Sequence, residues 1–353
     1  MLSTMQAQNT TQSINHKSVE ISVKGKWVSV PSVEVGANTI VVRGRWLKIA
    51  TIQDEAWLET EVQDPEGCVR ELKGRGRRLG ADIFTFSQKP SSTVPRYRYC
   101  VEWDSVAAIR LSSFKDWWDK LPQESRKNVR RSQKRGVEVK IVDFNDDLVR
   151  LIRDVHNDSP VRQGVRNVYY GKSIEEITKD HSAFLDRSDF IGAFHGNELI
   201  GFEKVVYRGE VGSILNFVPK ASQSDKRPAN ALIAKAVEVC IAKGVNCLTY
   251  GMLRYGNKRE SPLQEFKERN GFEEVLVPRF YVPVSRWGAL CMKFGLHRGL
   301  LGILPPKVIT LCVSLRVKWY DLRQSMGRCS SVVERSSRNR QTERSNPPAG
   351  SNN

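Results

Sequence analysis

Glu203 stands in a largely apolar run from Leu199 to Tyr207. A carboxylate there is either a general base, acting directly or through water, or the partner of a neighbouring cation on an exposed strand face. Tyr250 ends another short apolar run and Tyr255 follows it. Either phenol could hand a proton to a leaving group, or simply pack. Asn216, Phe217 and Val218 close a third strand-like run, and Lys226, Arg227 and Asn230 stand where a long helical pattern begins. Lys267 lies in a second helical pattern, as a phosphate ligand or a solvated lysine. Six cations fall between Arg126 and Arg135, among them Arg130, Arg131 and Lys134, and cover half of one helix. They form either a solvated face or a contact for a phosphate backbone. The segment 160–172 gathers Arg162, Gln163, Arg166, Tyr169, Tyr170 and Lys172, a density that suits anion or sugar contacts, or surface decoration.

The elements that must position these residues read most clearly from Asp189 to Val284. Three strands come first, with turn chemistry at His195–Glu198 and Arg208–Glu210. Ala229, Leu232, Ile233, Ala236, Val237 and Cys240 then recur at helical spacing, with Asp225 as candidate N-cap, Pro228 in the first turn and Gly244 as the stop. A strand over 245–250, a helix over 263–270 and strand-rich sequence over 272–284 follow. A strand–helix–strand crossover makes a parallel pair, and ligands of such sheets sit where strands end and helices begin. This rule places the site at 216–231.

Upstream, 1–18 is polar and expected to be disordered. Residues 19–111 read as a strand-rich half with strands at 26–30, 39–42, 46–52, 83–86 and 97–103, a helix or loop over 66–79, and the cluster Arg75–Arg78. Residues 112–136 form basic linker helices, with Pro122 opening one and Gly136 closing it. A strand over 137–144 and helices over 145–159 and 174–186 lead into the central stretch. Residues 286–326 read as basic amphipathic helices split by Pro305 and Pro306, lying in a membrane interface or packed on the protein itself. The tail 327–353 is expected to be disordered. Its Cys329–Arg335 and Ser345–Ser351 stretches look like translated transfer-RNA genes, so it is read as read-through past the natural end.

The chain has 353 residues, 40% hydrophobic, with a net charge of +17 and a pI near 9.7. Two domains and an anionic partner are the expectation: nucleic acid, a nucleotide cofactor or an anionic membrane. Just over half of the excess charge lies beyond Ser285. Seven cysteines in no paired spacing suit a reducing cytoplasm, and five scattered histidines give no metal motif, so no metal is expected. The first twenty residues lack an apolar signal core, and no apolar run is long enough to span a bilayer.

Several of these segments resemble the GNAT acyltransferase superfamily, and within it the FemAB-like branch, including proteins with a BioF2-like acetyltransferase domain. They are Leu121–Pro122 with Arg126 to Gly136, Tyr169 to Lys172, Arg227 to Leu232, Tyr250–Gly251, Phe266–Lys267, Asn270 to Phe272, and Pro278 to Pro283. The resemblance covers about half of the chain. It implies an α/β fold, a GNAT-like mixed sheet flanked by helices, in two tandem halves. The second, 137–285, is well formed, and the first, 19–111, has diverged. It further implies N-acyl transfer to an amine, with the backbone of Asn216 to Val218 polarising the donor carbonyl. The donor is acetyl-CoA or another acyl-CoA, or an aminoacyl-tRNA. Acetyl-CoA-using members carry a Gln/Arg-x-x-Gly-x-Gly/Ala loop for the pyrophosphate. Asp225 to Ala231 here has no glycine, and Pro228 lacks an N–H. Lys226 and Arg227 can still hold phosphate through their side chains. The acceptor implied is an amine on a cell-envelope sugar or precursor, met in the cytoplasm or at the inner membrane face, with peripheral contact to anionic lipid through 286–326. The competing class is an inactive module binding RNA or membrane. An open cleft between the strands at Asn216 and Tyr250 would favour the enzyme, and a cleft filled by side chains the binder.

Overall fold

The computed structural model describes residues 17–299 apart from 59–60, 75–78, 163–164 and 255–260, together with Leu311, Ser314 and Leu315. The expectations placed on residues 1–16, on Arg75–Arg78, on Gln163 and Tyr255, on most of 300–326 and on the whole tail 327–353 lie outside the described residues.

The first half runs β1 (Lys17–Val23), β2 (Lys26–Val35), β3 (Asn38–Arg43), β4 (Ile49–Ile52), α1 (Pro65–Lys73), β5 (Ile83–Ser87) and β6 (Cys100–Arg110). Two linking helices follow, α2 (Phe114–Lys120) and α3 (Gln123–Lys134). The second half begins with β7 (Val137–Val142), α4 (Asp146–His156), a small hairpin of β8 (Val161–Arg162) and β9 (Val165–Arg166), and α5 (Ile174–His181). It continues with β10 (Ser188–His195), β11 (Glu198–Arg208), β12 (Val211–Pro219), α6 (Pro228–Ala242), β13 (Cys247–Met252), α7 (Pro262–Arg269) and β14 (Glu273–Pro283), and α8 (Arg286–Lys293) ends the described body.

Twelve strands share one sheet in the order β1-β2-β3-β4-β5-β14-β6-β13-β12-β11-β10-β7. Two neighbouring pairs are parallel, β4–β5 across α1 and β12–β13 across α6. The order holds an exchange. β6 follows the first half in sequence but pairs with β13 of the second, while β14 pairs with β5 of the first. β6 and β14 also pair with each other over nine residues. Each half is thus a meander, a strand–helix–strand crossover and a final antiparallel strand supplied by the other.

Local chemistry explains the elements near the site. Ser113, Asn145, Ser173 and Ser261 cap α2, α4, α5 and α7, the third in a full capping box. The apolar stripe of α6 packs Leu232, Ile233, Ala236, Val237 and Cys240 into a core with Ile191, Ile200, Val205 and Leu248. On the opposite sheet face, Leu148, Ile152 and Val155 of α4 meet Phe190 and Phe202.

Some boundaries differ from the sequence reading. β4 starts at Ile49 because Gly44, at φ 117°, turns the chain first. In the stretch read as helix or loop over 66–79 the helix ends at Lys73, and α5 stops at His181, before a separate turn at Leu185–Arg187. Asp225 does not cap α6. The N-cap is Arg227 in the left-handed region, and Asp225 accepts from Arg135 instead.

Candidate functional site

β12 and β13 pair only from Val211–Cys247 to Ser213–Thr249. Beyond that register the two strands have no ladder, and rings cross the gap between them. Phe217 lies 5.4 Å from Tyr250 and 5.6 Å from Phe266, ring centre to ring centre, and Tyr250 lies 5.8 Å from Phe272. Lys267, 0% exposed, points its ammonium at the Tyr250 and Met252 carbonyls, 2.6 and 2.7 Å away, and sits 4.2 Å from the Tyr250 ring centre. Burial lowers its pKa to about 8. Lys267 therefore pins α7 to the end of β13, and the solvated alternative is ruled out. In this conformation the cleft is filled by side chains.

Glu203 sits beside the same aromatic group. Its register partners are Ile191 on β10 and Phe217 on β12, so all three share the face covered by α6. Glu203 is 0% exposed, and neither carboxylate oxygen has a hydrogen-bond partner. This corrects the expectation of an ion pair on an exposed strand face. Desolvation alone raises its pKa to about 8, so the group is mostly neutral at pH 7.

At the start of α6, Pro228 occupies the first turn and no side chain caps the helix. The remaining first-turn N–H groups thus have no side-chain acceptor, which favours an anion there. Lys226 bonds Gln223 at 2.6 Å, and the Asn230 side-chain amide donates to Asn270 Oδ1 at 3.0 Å. α3 is tied to this end through Arg135, which bonds Asp225, and it lies along α6. Arg130 and Lys134 are exposed on α3, Arg130 stacking on Trp118 at 5.5 Å, while Arg131 is half-buried.

The opposite face carries a second group. Asn216 pairs in register with Lys204, under α4 and α5. The amide oxygen of Asn216 is buried beside the His181 imidazole. Tyr169 stacks on His156 at 4.5 Å, and the His156 and His181 Nε2 atoms are 3.2 Å apart. Both imidazoles are buried, and both Nδ1 atoms lack partners. Burial, then mutual repulsion, lowers His156 to about 3; burial, opposed by Asp180, lowers His181 to about 4. Lys204 donates to the His181 and Ala183 carbonyls. Lys172 is held by Asp180 at 2.5 Å and by the Gly25 carbonyl, and Trp27 donates to the same Asp180. Lys172 thus joins the halves, while Arg166 and Tyr170 remain exposed. Val218 packs under α4 and α5, whereas Phe217 faces α6, so adjacent candidates serve different faces.

A third group lies at the seam of the halves, and the sequence reading missed it. Arg208, at the end of β11, is 9% exposed. Its guanidinium bonds the Ser213 hydroxyl at 2.9 Å, its Nε has no partner, and none of the described ion pairs includes it. Arg187 and Lys89 are its cationic neighbours, and Glu55 and Glu61 lie close enough to Lys89 to act on it. Burial, then repulsion from Arg208, lowers Lys89 to about 8. A buried guanidinium among cations is costly without an anion.

Among the described residues no cluster of three His, Cys, Asp or Glu is placed to hold a metal, and no helix is long and apolar enough to cross a membrane. No family model and no curated protein matches the chain. Solved structures do. The C-terminal domain of a protein assigned as a lysylphosphatidylglycerol synthetase from Agrobacterium fabrum aligns at a TM-score of 0.50 and 12% identity, over 76% of this chain and 88% of that one. L-PGS from Bacillus licheniformis gives 0.50 and 14%, over 76% and 87%. A tandem GNAT protein from the clavulanic acid pathway gives 0.42 and 10%, over 73% and 83%. At these identities the likeness is one of fold: an α/β protein with a large mixed sheet flanked by helices.

Proposed function

We propose that the protein transfers an acyl or aminoacyl group to an amine on an acceptor that also carries an anionic group. The observation that carries this reading is the buried guanidinium of Arg208, which belongs to none of the described ion pairs, beside Lys89 at the seam of the two halves. A phosphate or carboxylate of the acceptor would supply a counter-charge to Arg208. A cell-envelope sugar precursor combines an amine with such a group. The donor carbonyl would enter where β12 and β13 part, against the backbone of Asn216 to Val218, after the Phe217 and Tyr250 rings separate. Donors so placed supply about 3 kcal/mol or more in other acyl transfers. Tyr250 stands within the gap as proton donor. Glu203, one strand away, can accept a proton once water reaches it. Between the donors, the lack of glycine at 225–231 and the exposed cations of α3 favour an aminoacyl-tRNA over acetyl-CoA.

The filled gap and the neutral Glu203 favour a second reading, an inactive fold that binds RNA through α3. One experiment separates them: binding of acetyl-CoA, aminoacyl-tRNA and uncharged tRNA at two salt concentrations. The transfer reading expects the charged tRNA to bind more tightly than the uncharged one. Equal binding of both supports the RNA module, saturable binding of acetyl-CoA restores the CoA donor, and binding of none removes both tRNA readings.

A further inference from the structure

Two segments far apart in sequence meet on the surface of the first half. The turn 43–48 carries Arg43, Arg45, Trp46 and Lys48, and α8 with its following turn carries Arg286, Trp287, Leu290, Lys293, Phe294 and Arg298. Trp46 is 61% exposed and Phe294 65%, with Trp287 and Leu290 also exposed. Leu290 and Phe294 follow Trp287 by three and seven residues, so the three share one helix face, while Gly288 and Cys291 turn inward. Neither 43–48 nor 286–298 contains an acidic residue, and together they hold six cations.

This surface is built. Asp82 accepts the Lys48 N–H at 2.8 Å and the Ser285 hydroxyl at 2.7 Å, and Ser285 in turn caps α8. Trp287 donates from its indole to the Trp46 carbonyl at 3.0 Å, which sets the two tryptophans side by side. A Cβ on Gly288 would fall 1.9 Å from the Asp82 carbonyl oxygen, so only glycine lets α8 lie this close. Leu47, Ile83 and Cys291 form the buried layer underneath.

We propose that this surface docks on an anionic lipid bilayer. Aromatic side chains favour the headgroup level and apolar ones enter the acyl boundary; the acids described beside the surface, Glu102 and Asp82, are held by Arg298 and by the Ser285 cap, so an excess of cations remains to match a negative surface. A protein partner burying Trp and Phe would not require this excess of cations. The inference stands whether or not the acyl-transfer reading does.

The test uses the full chain and vesicles of phosphatidylcholine alone or mixed equally with phosphatidylglycerol. Cosedimentation should require phosphatidylglycerol and weaken with salt, and brominated acyl chains should quench tryptophan fluorescence. Trp46→Phe with Trp287→Phe should keep binding and lose most of that quenching. Trp46→Ser with Phe294→Ser keeps every charge and every backbone bond described, and should weaken binding by roughly tenfold. Circular dichroism checks its fold, and Leu290→Ser serves as a second variant. Wild-type strength in the serine variants would overturn the proposal, because the remaining charges would then bind by themselves. Equal binding to both vesicles would overturn it too. So would a lipid-free dimer that the serine variants dissociate, since the surface would then join two copies of the chain.

Discussion

Glu203→Gln should make the protein more stable at neutral pH and leave it unchanged in acid. Folding moves this carboxyl from an ordinary value of 4.5 to about 8 through desolvation alone. A carboxyl raised by folding adds stability below its unfolded pKa, and loses it progressively as pH rises to the folded value. At 1.36 kcal/mol per unit, the span from 4.5 to 7 costs the folded state about 3 kcal/mol at pH 7, and nearly 5 above pH 8. Glutamine cannot ionise and occupies the same volume. Urea unfolding at half-unit steps from pH 4.5 to 8.5 should therefore show a wild-type-to-variant difference near zero at the acid end. It should grow by about 1.4 kcal/mol per unit between pH 5 and 8. Taking the difference removes the contribution of every other titrating group. A difference independent of pH, or a variant less stable at pH 7, would refute the reasoning: Glu203 would then be charged and compensated in the folded protein. The same variant addresses chemistry. If Glu203 is the base, transfer rises with pH towards 8 in the wild type and is lost in Glu203→Gln.

The paired imidazoles act in the other direction. With His156 and His181 lowered to about 3 and 4, their neutral forms hold above pH 6.5, and stability falls as pH drops from 6.5 towards 4. Imidazole resonances that titrate near 6.5 at both positions would contradict this. Lys267→Met should cost about 2 kcal/mol or more in unfolding free energy, because two inward carbonyls lose their donor; an unchanged urea midpoint would show that water replaces it. Arg208→Met should leave the protein equally or more stable yet abolish thermal stabilisation by millimolar pyrophosphate, whereas retained stabilisation would place the anion elsewhere. Arg130→Gln with Lys134→Gln should reduce the slope of log affinity for tRNA against log salt by roughly 1.4 to 1.8, and an unchanged slope would free α3 of phosphate contact.

The second half was legible because its signals are local. Pro228 and the stripe from Ala229 to Cys240 define α6, and glycines at 196 and 209 turn adjacent strands at positive φ. The first half was read mainly as strands, with 66–79 left as helix or loop, since its fragments 26–30 and 39–42 carry no crossover signal. The exchange of β6 and β14 was invisible: Tyr281 pairs with Thr85 and Cys100 across nearly two hundred residues, and no local pattern encodes such pairing. Charge misled in two places. Lys267 and Glu203 belong to types that normally face water, so residue type alone hid that both are sealed. His156 and His181 are 25 residues apart and meet only because α4 and α5 pack together, and Arg208 looked like the end of a strand. A cation at the inner end of a long apolar strand was the one available hint of the seam.

The exchanged strands also set an order of events during synthesis. β5 emerges from the ribosome early, but the strand that covers its open edge, β14, is among the last parts of the described body to be made. At translation speeds of 5–20 residues per second the wait lasts on the order of 10–40 s. Through that interval the edge of Ile83 to Ser87, four of its five residues inward-facing and apolar or hydroxylated, is a template for any passing strand. In the finished fold Arg279 of β14 ties this edge in place, bonding Glu55 at 3.1 Å and Asp104 at 2.6 Å. The first half is therefore a nascent-chain hazard until the second is finished, and a chaperone, or rapid completion of the message, becomes part of what this architecture requires.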